Sequence, residues 1–173
     1  MPSRATSVST PGDEPNYFLG SIICINQSQD ALSVQSLELV DGQQRMTTLS
    51  LLLAAIYQSF RVLPNLGMEQ QIELYNLKHK LVLKKKSDQP RLIPQVQNNN
   101  QQDYFAVLGK AGILEDVEQV QHAGNRRVLK AYRHFLWRIE QYLQELSEPV
   151  AGLQALLDKV NTATLVKIEV AGH

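Results

Sequence analysis

The stretch Leu39-Val40-Asp41-Gly42-Gln43-Gln44-Arg45-Met46-Thr47-Thr48-Leu49 changes its hydrophobic period in the middle. On its left, residues 36–40 read as a strand. On its right, Leu49, Leu52, Leu53, Ile56 and Phe60 follow the i, i+3, i+4, i+7 spacing of a buried helical face. A strand therefore passes into a helix through Asp41-Gly42-Gln43-Gln44-Arg45. One explanation is a capped helix, with Asp41 as N-cap, Gly42 as the turn residue and Gln44 closing a loose capping box. That explanation leaves Arg45 over. A cation in a first helical turn meets the positive end of the helix dipole, at a cost of a few tenths to about 1 kcal/mol. Unless Asp41 neutralises Arg45, an anion is expected there. Backbone N–H groups, the amides of Gln43 and Gln44, the Arg45 guanidinium and the hydroxyls of Thr47 and Thr48 would make a donor-rich phosphate pocket. The residues alone leave cap and anion site both open.

Outward from this junction, the apolar run 17–25 predicts a buried strand, in which Gly20 marks a bulge or a close backbone approach. A polar turn at 26–31 and a strand at 32–40 complete a hairpin whose second arm delivers Asp41. The helix after Arg45 is expected to end near Pro64-Asn65. A second, at 68–80, turns Ile72, Tyr75 and Leu77 or His79 inward, and a small hairpin follows around Ser87-Asp88-Gln89-Pro90. Asn98-Asn99-Asn100-Gln101-Gln102 caps a helix carrying Tyr104, Phe105 and Leu108, ended by Gly109 and Gly112. Asn125 caps the strongest helical pattern, Val128, Leu129, Tyr132, Leu136, Ile139 and Leu143, whose apolar face Phe135 and Trp137 broaden toward the core. Glu148-Pro149 restarts a helix with Leu153, Leu156, Leu157 and Val160, and residues 164–170 alternate as a last strand. These elements make an α+β chain with a small mixed sheet and a mainly helical insert.

Composition bounds the function. At 173 residues, 43% hydrophobic and 20% charged, the chain is long enough for one domain with a real core or most of a larger one. Seventeen basic and seventeen acidic residues give no net charge, which argues against holding nucleic acid by overall charge and leaves only a local patch. Cys24 lies alone in an apolar run, so no disulfide framework exists and a buried inert thiol is expected. Residues 1–15 are Ser, Thr and Pro-rich and are expected to be disordered, neither signal peptide nor membrane anchor. No stretch spans a bilayer, and a cytoplasmic location is expected. His79, His122, His134 and His173 lack ligand spacing, so no metal site is read from them. No Ser-His-Asp order, Walker loop or His-Asn-His pattern is present.

Tyr17-Phe18-Leu19-Gly20-Ser21-Ile22-Ile23, followed after a polar gap by Val40-Asp41-Gly42-Gln43-Gln44-Arg45-Met46-Thr47-Thr48-Leu49, resembles the N-terminal domain of GmrSD-type, modification-dependent restriction proteins. Pro90-Arg91-Leu92, Asp103-Tyr104-Phe105 and the run from Asn125 through Phe135 resemble that family's helical insert, which extends the likeness over 16–170. The resemblance implies a ParB/sulfiredoxin-like fold with the Asp-Gly-Gln-Gln-Arg motif at its strand-to-helix junction. It implies a bound NTP, whether GTP, ATP or another, with Mg2+ as its companion ion. It further implies NTP hydrolysis, in several members, that licenses or regulates cleavage of modified DNA by a separate C-terminal His-Asn-His nuclease domain or subunit.

Carried over, Asp41, Gly42, Gln43, Gln44 and Arg45 form the nucleotide site, with Thr47 and Thr48 beside them. Arg45 stabilises phosphate charge, Gln44 orients a water, and Asp41 serves a metal or holds Arg45. Met46 replaces the family's usual Leu, a volume-conserving change. The family's opening strand with Ile-Pro and Tyr-Gln-Arg elements, and its continuation with Phe-Glu, Leu-Asn and Arg-Gly elements, have no counterpart. The expected organisation is therefore a segment 1–15, a ParB-like core 16–66 and a helical region 67–173 ending in a strand, a domain truncated at both ends. Two alternatives stand beside nucleotide binding. One is a non-catalytic ParB-like module contacting DNA or protein, with Lys84, Lys85, Lys86, Arg126, Arg127 and Lys130 as phosphate contacts. The other is an inactive fragment.

Overall fold

The computed structural model describes residues 17–28, 34–95, 99–117 and 126–171. The expected disordered segment 1–15, part of the turn at 26–31, the start of the 32–40 strand, Asn98 and the expected cap Asn125 lie outside these residues. The elements run β1 (Phe18–Asn26), β2 (Leu37–Asp41), α1 (Gln43–Arg61), α2 (Met68–Leu81), α3 (Asn100–Ala111), α4 (Arg127–Gln144), α5 (Pro149–Thr162) and β3 (Thr164–Val170). The sheet order is β2-β1-β3, with β1 antiparallel to β2 and parallel to β3. The architecture is α+β, as the alternation of periods predicts. A parallel pair needs a long crossover, and here the whole helical region between β2 and β3 supplies it.

The core is helical and is built around α1. Leu51, Ala54, Ala55, Ile56 and Phe60 are buried against Leu77 and Leu81 of α2, Tyr104, Val107 and Leu108 of α3, Leu129 and Ile139 of α4, and Leu153 and Leu157 of α5. Ala54 and Ala55 are small enough for neighbouring helices to approach α1 closely. The expected face of α1 is corrected by this surround. Leu49, Leu52 and Leu53 are only half-buried, because helices on several sides rotate full burial toward Leu51, Ala54 and Ala55.

Other expectations change for similar reasons. Only Leu77 and Leu81 of α2 are fully buried, so its C-terminal turns meet the core while Ile72 and Tyr75 are exposed. The hairpin around Pro90 reduces to one bridge, Val82 to Pro90, since proline has no N–H with which to extend a ladder. Gly109 lies inside α3, and Gly112, at φ +76, ends it alone. The N-cap of α4 is Arg126. Phe135 packs against the core, but Trp137 is 51% exposed and is not a core residue.

A buried polar pair ties α1 to α3: Ser50 Oγ and Tyr104 OH lie 2.5 Å apart. Burial pushes the Tyr104 phenol from 10.0 up to about 12, and it raises Tyr57 and Tyr132 as well. Between pH 10 and 12 the unfolded Tyr104 phenol ionises while the folded one does not. Stability is therefore retained below pH 10 and falls as pH rises toward 12. Urea unfolding across this window should show a shallower decline in Tyr104→Phe than in the parent; identical slopes would refute the assignment.

Candidate functional site

β2 ends at Asp41, opposite Ile23 of β1. The chain must then leave the strand and enter α1 within one residue. Gly42 makes this turn at φ 90, ψ 9, in the left-handed region that glycine adopts without steric cost. A Cβ at this position would also stand 2.5 Å from Ile22 Cγ2 and 3.3 Å from Ile22 Cα, so the junction is pressed against β1. Gly42, not Asp41, is the N-cap. No side chain caps α1, which removes the expected Asp41 cap and Gln44 capping box. Met46 N–H donates to the Gly42 carbonyl at 3.0 Å, and the preceding N–H groups have no acceptor inside the helix.

Arg45 crosses from α1 to β1. Its Nη1 donates to the Ser21 carbonyl, and its guanidinium lies over Gly20, where a Cβ would be 3.2 Å from Cζ. Gly20 sits at φ +98, and the β1/β3 register shifts between Phe18 and Ser21. Both expectations for Gly20, a bulge and a close approach, are met at one position. The proposed neutralisation of Arg45 by Asp41 is not found: the salt bridges among the described residues are Arg126–Asp103 and Lys167–Glu169. The first turn of α1 contains no carboxylate.

The remaining motif residues divide in two. Gln43 Nε2 donates to the Leu39 carbonyl at 2.7 Å, and the Thr47 hydroxyl donates to the Gln43 carbonyl at 2.9 Å. Each of these two side chains gives a hydrogen bond to the turn itself. Gln44 and Thr48 are exposed, and among the described residues neither side chain has a hydrogen-bond partner. Asp41 is exposed at the strand end. The surface of the junction therefore offers backbone N–H groups, the Gln44 amide, the Thr48 hydroxyl and the outer edge of Arg45, with the Asp41 carboxylate at one side. Such a set suits an anion. Ser21 and Ile22, which receive Arg45 and Gly42, were not marked by the sequence pattern as site residues; the run 17–25 shows a strand, not what lies across it.

This strand-to-helix junction sits in a chain that matches the family model for the GmrSD restriction endonuclease, N-terminal domain, over residues 6–171. The chain belongs to that family. It is thus a domain of a restriction system. No curated protein and no solved structure matches the chain.

In this GmrSD N-terminal domain the basic residues read as phosphate contacts separate. Arg126 Nη1 is 2.6 Å from Asp103 Oδ1, and Asp103 is only 1% exposed. Arg127, Lys130, Lys84, Lys85 and Lys86 are exposed. A groove lined by Gln70, Glu148, Val150, Gln154 and Asp158 lies between α2 and α5, which carry no motif residue. Among the described residues no three His, Cys, Asp or Glu side chains gather as a metal cluster, and no helix is long and apolar enough to cross a membrane.

Proposed function

We propose that this GmrSD N-terminal domain binds a nucleoside triphosphate at residues 41–45 and couples its occupancy to DNA cleavage by a His-Asn-His nuclease domain or subunit. The observation that carries this reading is the start of α1. It has no side-chain cap and no first-turn carboxylate, and a guanidinium stands beside it. A missing cap forfeits about 1 kcal/mol, and a cation at a helix N-terminus costs a few tenths more. A phosphate placed there offsets both. GTP, ATP or another NTP would be read through its phosphates.

The backbone N–H groups of the first turn and the Arg45 guanidinium would hold the anion. The Gln44 amide and Thr48 hydroxyl would add neutral hydrogen bonds, and Gln44 would also be the group to position a water. Asp41 fits a Mg2+ ion that arrives with the phosphates, because Mg2+ takes one or two carboxylates when phosphate and water complete its shell. Mg2+ would supply neutralisation of phosphate charge.

Calorimetric titration of the 173-residue chain with Mg–GTP and Mg–ATP tests this. Arg45→Ala should weaken binding by about 10- to 100-fold, the worth of a hydrogen bond to a charged group, and Arg45→Lys should fall between. Equal affinity in parent and Arg45→Ala, or binding in neither, would refute the site.

A further inference from the structure

We propose that the outward side of α4 is a docking surface for the backbone of duplex DNA. The choice of DNA rests on membership of a restriction system; the surface itself is independent of the nucleotide site. α4 buries Val128, Leu129, Tyr132 and Ile139. Its exposed side carries Arg127, Lys130, Arg133, His134, Trp137 and Arg138. Residues 127, 130, 134 and 137 are spaced by three and four, so they form one stripe, with Arg133 and Arg138 flanking it. From 127 to 138 the helix rises about 16 Å at 1.5 Å per residue, enough to meet several phosphates of a duplex that carries one charge per about 1.7 Å.

Charge on this surface is segregated. The whole chain has no net charge, yet α4 carries no Asp or Glu from Arg127 to Ile139, and its one acidic residue, the exposed Glu140, comes only after the last of these cations. The nearby carboxylate that α3 offers, Asp103, is taken by Arg126. Arg127, Lys130, Arg133 and Arg138 are in no salt bridge among the described residues. Arg127 and Lys130 also stand at the positive end of the α4 dipole, where no acidic residue offsets them. A polyanion relieves all of this at once.

Trp137 narrows the kind of polyanion. Its ring is half-exposed amid the cations, with Arg138 Cζ 5.9 Å from its centroid and the His134 ring 6.0 Å away. Burial does not account for an indole in that position. Cations that meet phosphates, beside a flat apolar ring that meets sugars and base edges, match the mixed surface of a nucleic acid better than an acidic peptide.

Trp137 is the only tryptophan in the chain, so its fluorescence reports on this surface directly. The full chain, without nucleotide, is titrated with a mixed-sequence duplex of about 24 base pairs in roughly 50 to 200 mM salt. Saturable quenching is expected, with affinity falling with salt at a log–log slope of about −3 to −4 for four phosphate contacts. Lys130→Ala/Arg133→Ala should reduce that slope by about 2 and leave thermal unfolding unchanged. Removing charge elsewhere, in Lys84→Ala/Lys85→Ala/Lys86→Ala, should preserve it. Absence of quenching, a salt-independent affinity, an equal loss in the triple lysine variant, or tighter binding of a single strand or a poly-glutamate peptide would each overturn the proposal. Because no nucleotide is added, failure here leaves the Arg45 result unaffected.

Discussion

Gly42→Ala is expected to lower the unfolding free energy by about 2 to 4 kcal/mol and to remove nucleotide binding at the junction. Two costs combine. A left-handed backbone is disfavoured for alanine by roughly 1 to 2 kcal/mol. The added Cβ also enters space held by Ile22, 2.5 Å from Cγ2 and 3.3 Å from Cα. Cγ2 can be moved by a rotamer change, but the Cα belongs to the backbone of the central strand, and overpacking of this kind costs about 1 to 3 kcal/mol. For a chain of this size the thermal midpoint should drop by about 5 to 15 °C. Ile22→Ala in the same background deletes Cγ2 and relieves the overlap without relieving φ. The double variant should therefore be less destabilised than the sum of the singles, by roughly 1 kcal/mol in a urea-unfolding cycle. A Gly42→Ala protein with parental midpoint and parental NTP affinity would show that the junction does not require glycine.

Arg126→Ala should destabilise by about 2 to 4 kcal/mol, whereas Arg127→Ala should stay within about 0.5 kcal/mol of the parent. The difference lies in the partner. Asp103 is 1% exposed in the first turn of α3, and Arg126 Nη1 reaches it at 2.6 Å from the N-cap of α4. Truncating Arg126 leaves a buried carboxylate without its counter-charge, while Arg127 faces water. Replacing both members with apolar residues of similar volume, Asp103→Leu/Arg126→Met, should recover most of the loss, because desolvating a pair costs nearly what the pair returns. Urea is the suitable denaturant, since guanidinium would screen the charges. Equal effects at residues 126 and 127 would refute the division between a structural arginine and a surface one.

Much of the architecture was legible because it depends on local chemistry. The switch from strand to helical spacing around Asp41, the restart at Pro149, the bulge at Gly20 and the last strand at 164–170 are each set by residues only a few positions apart. The junction was legible as a place where charge and helix dipole conflict. Its construction was not. Asp41 has the chemistry of an N-cap, yet β1 lies so close that the chain enters α1 through Gly42 and the carboxylate remains exposed. Which donors stay available was also hidden, since Gln43 and Thr47 bond backward into the turn while Gln44 and Thr48 do not.

By itself, the sequence determined where the helices and the first and last strands lie, that the fold is α+β, and that a glycine and an arginine occupy the first strand-to-helix passage, because periodicity and turn chemistry act over short range. Only the tertiary structure decided that β3 pairs parallel to β1, that Ile72, Tyr75 and Trp137 face solvent, and that two adjacent arginines, 126 and 127, serve different ends. Those outcomes depend on what another element places opposite a side chain, and residue type at one position carries no record of that neighbour.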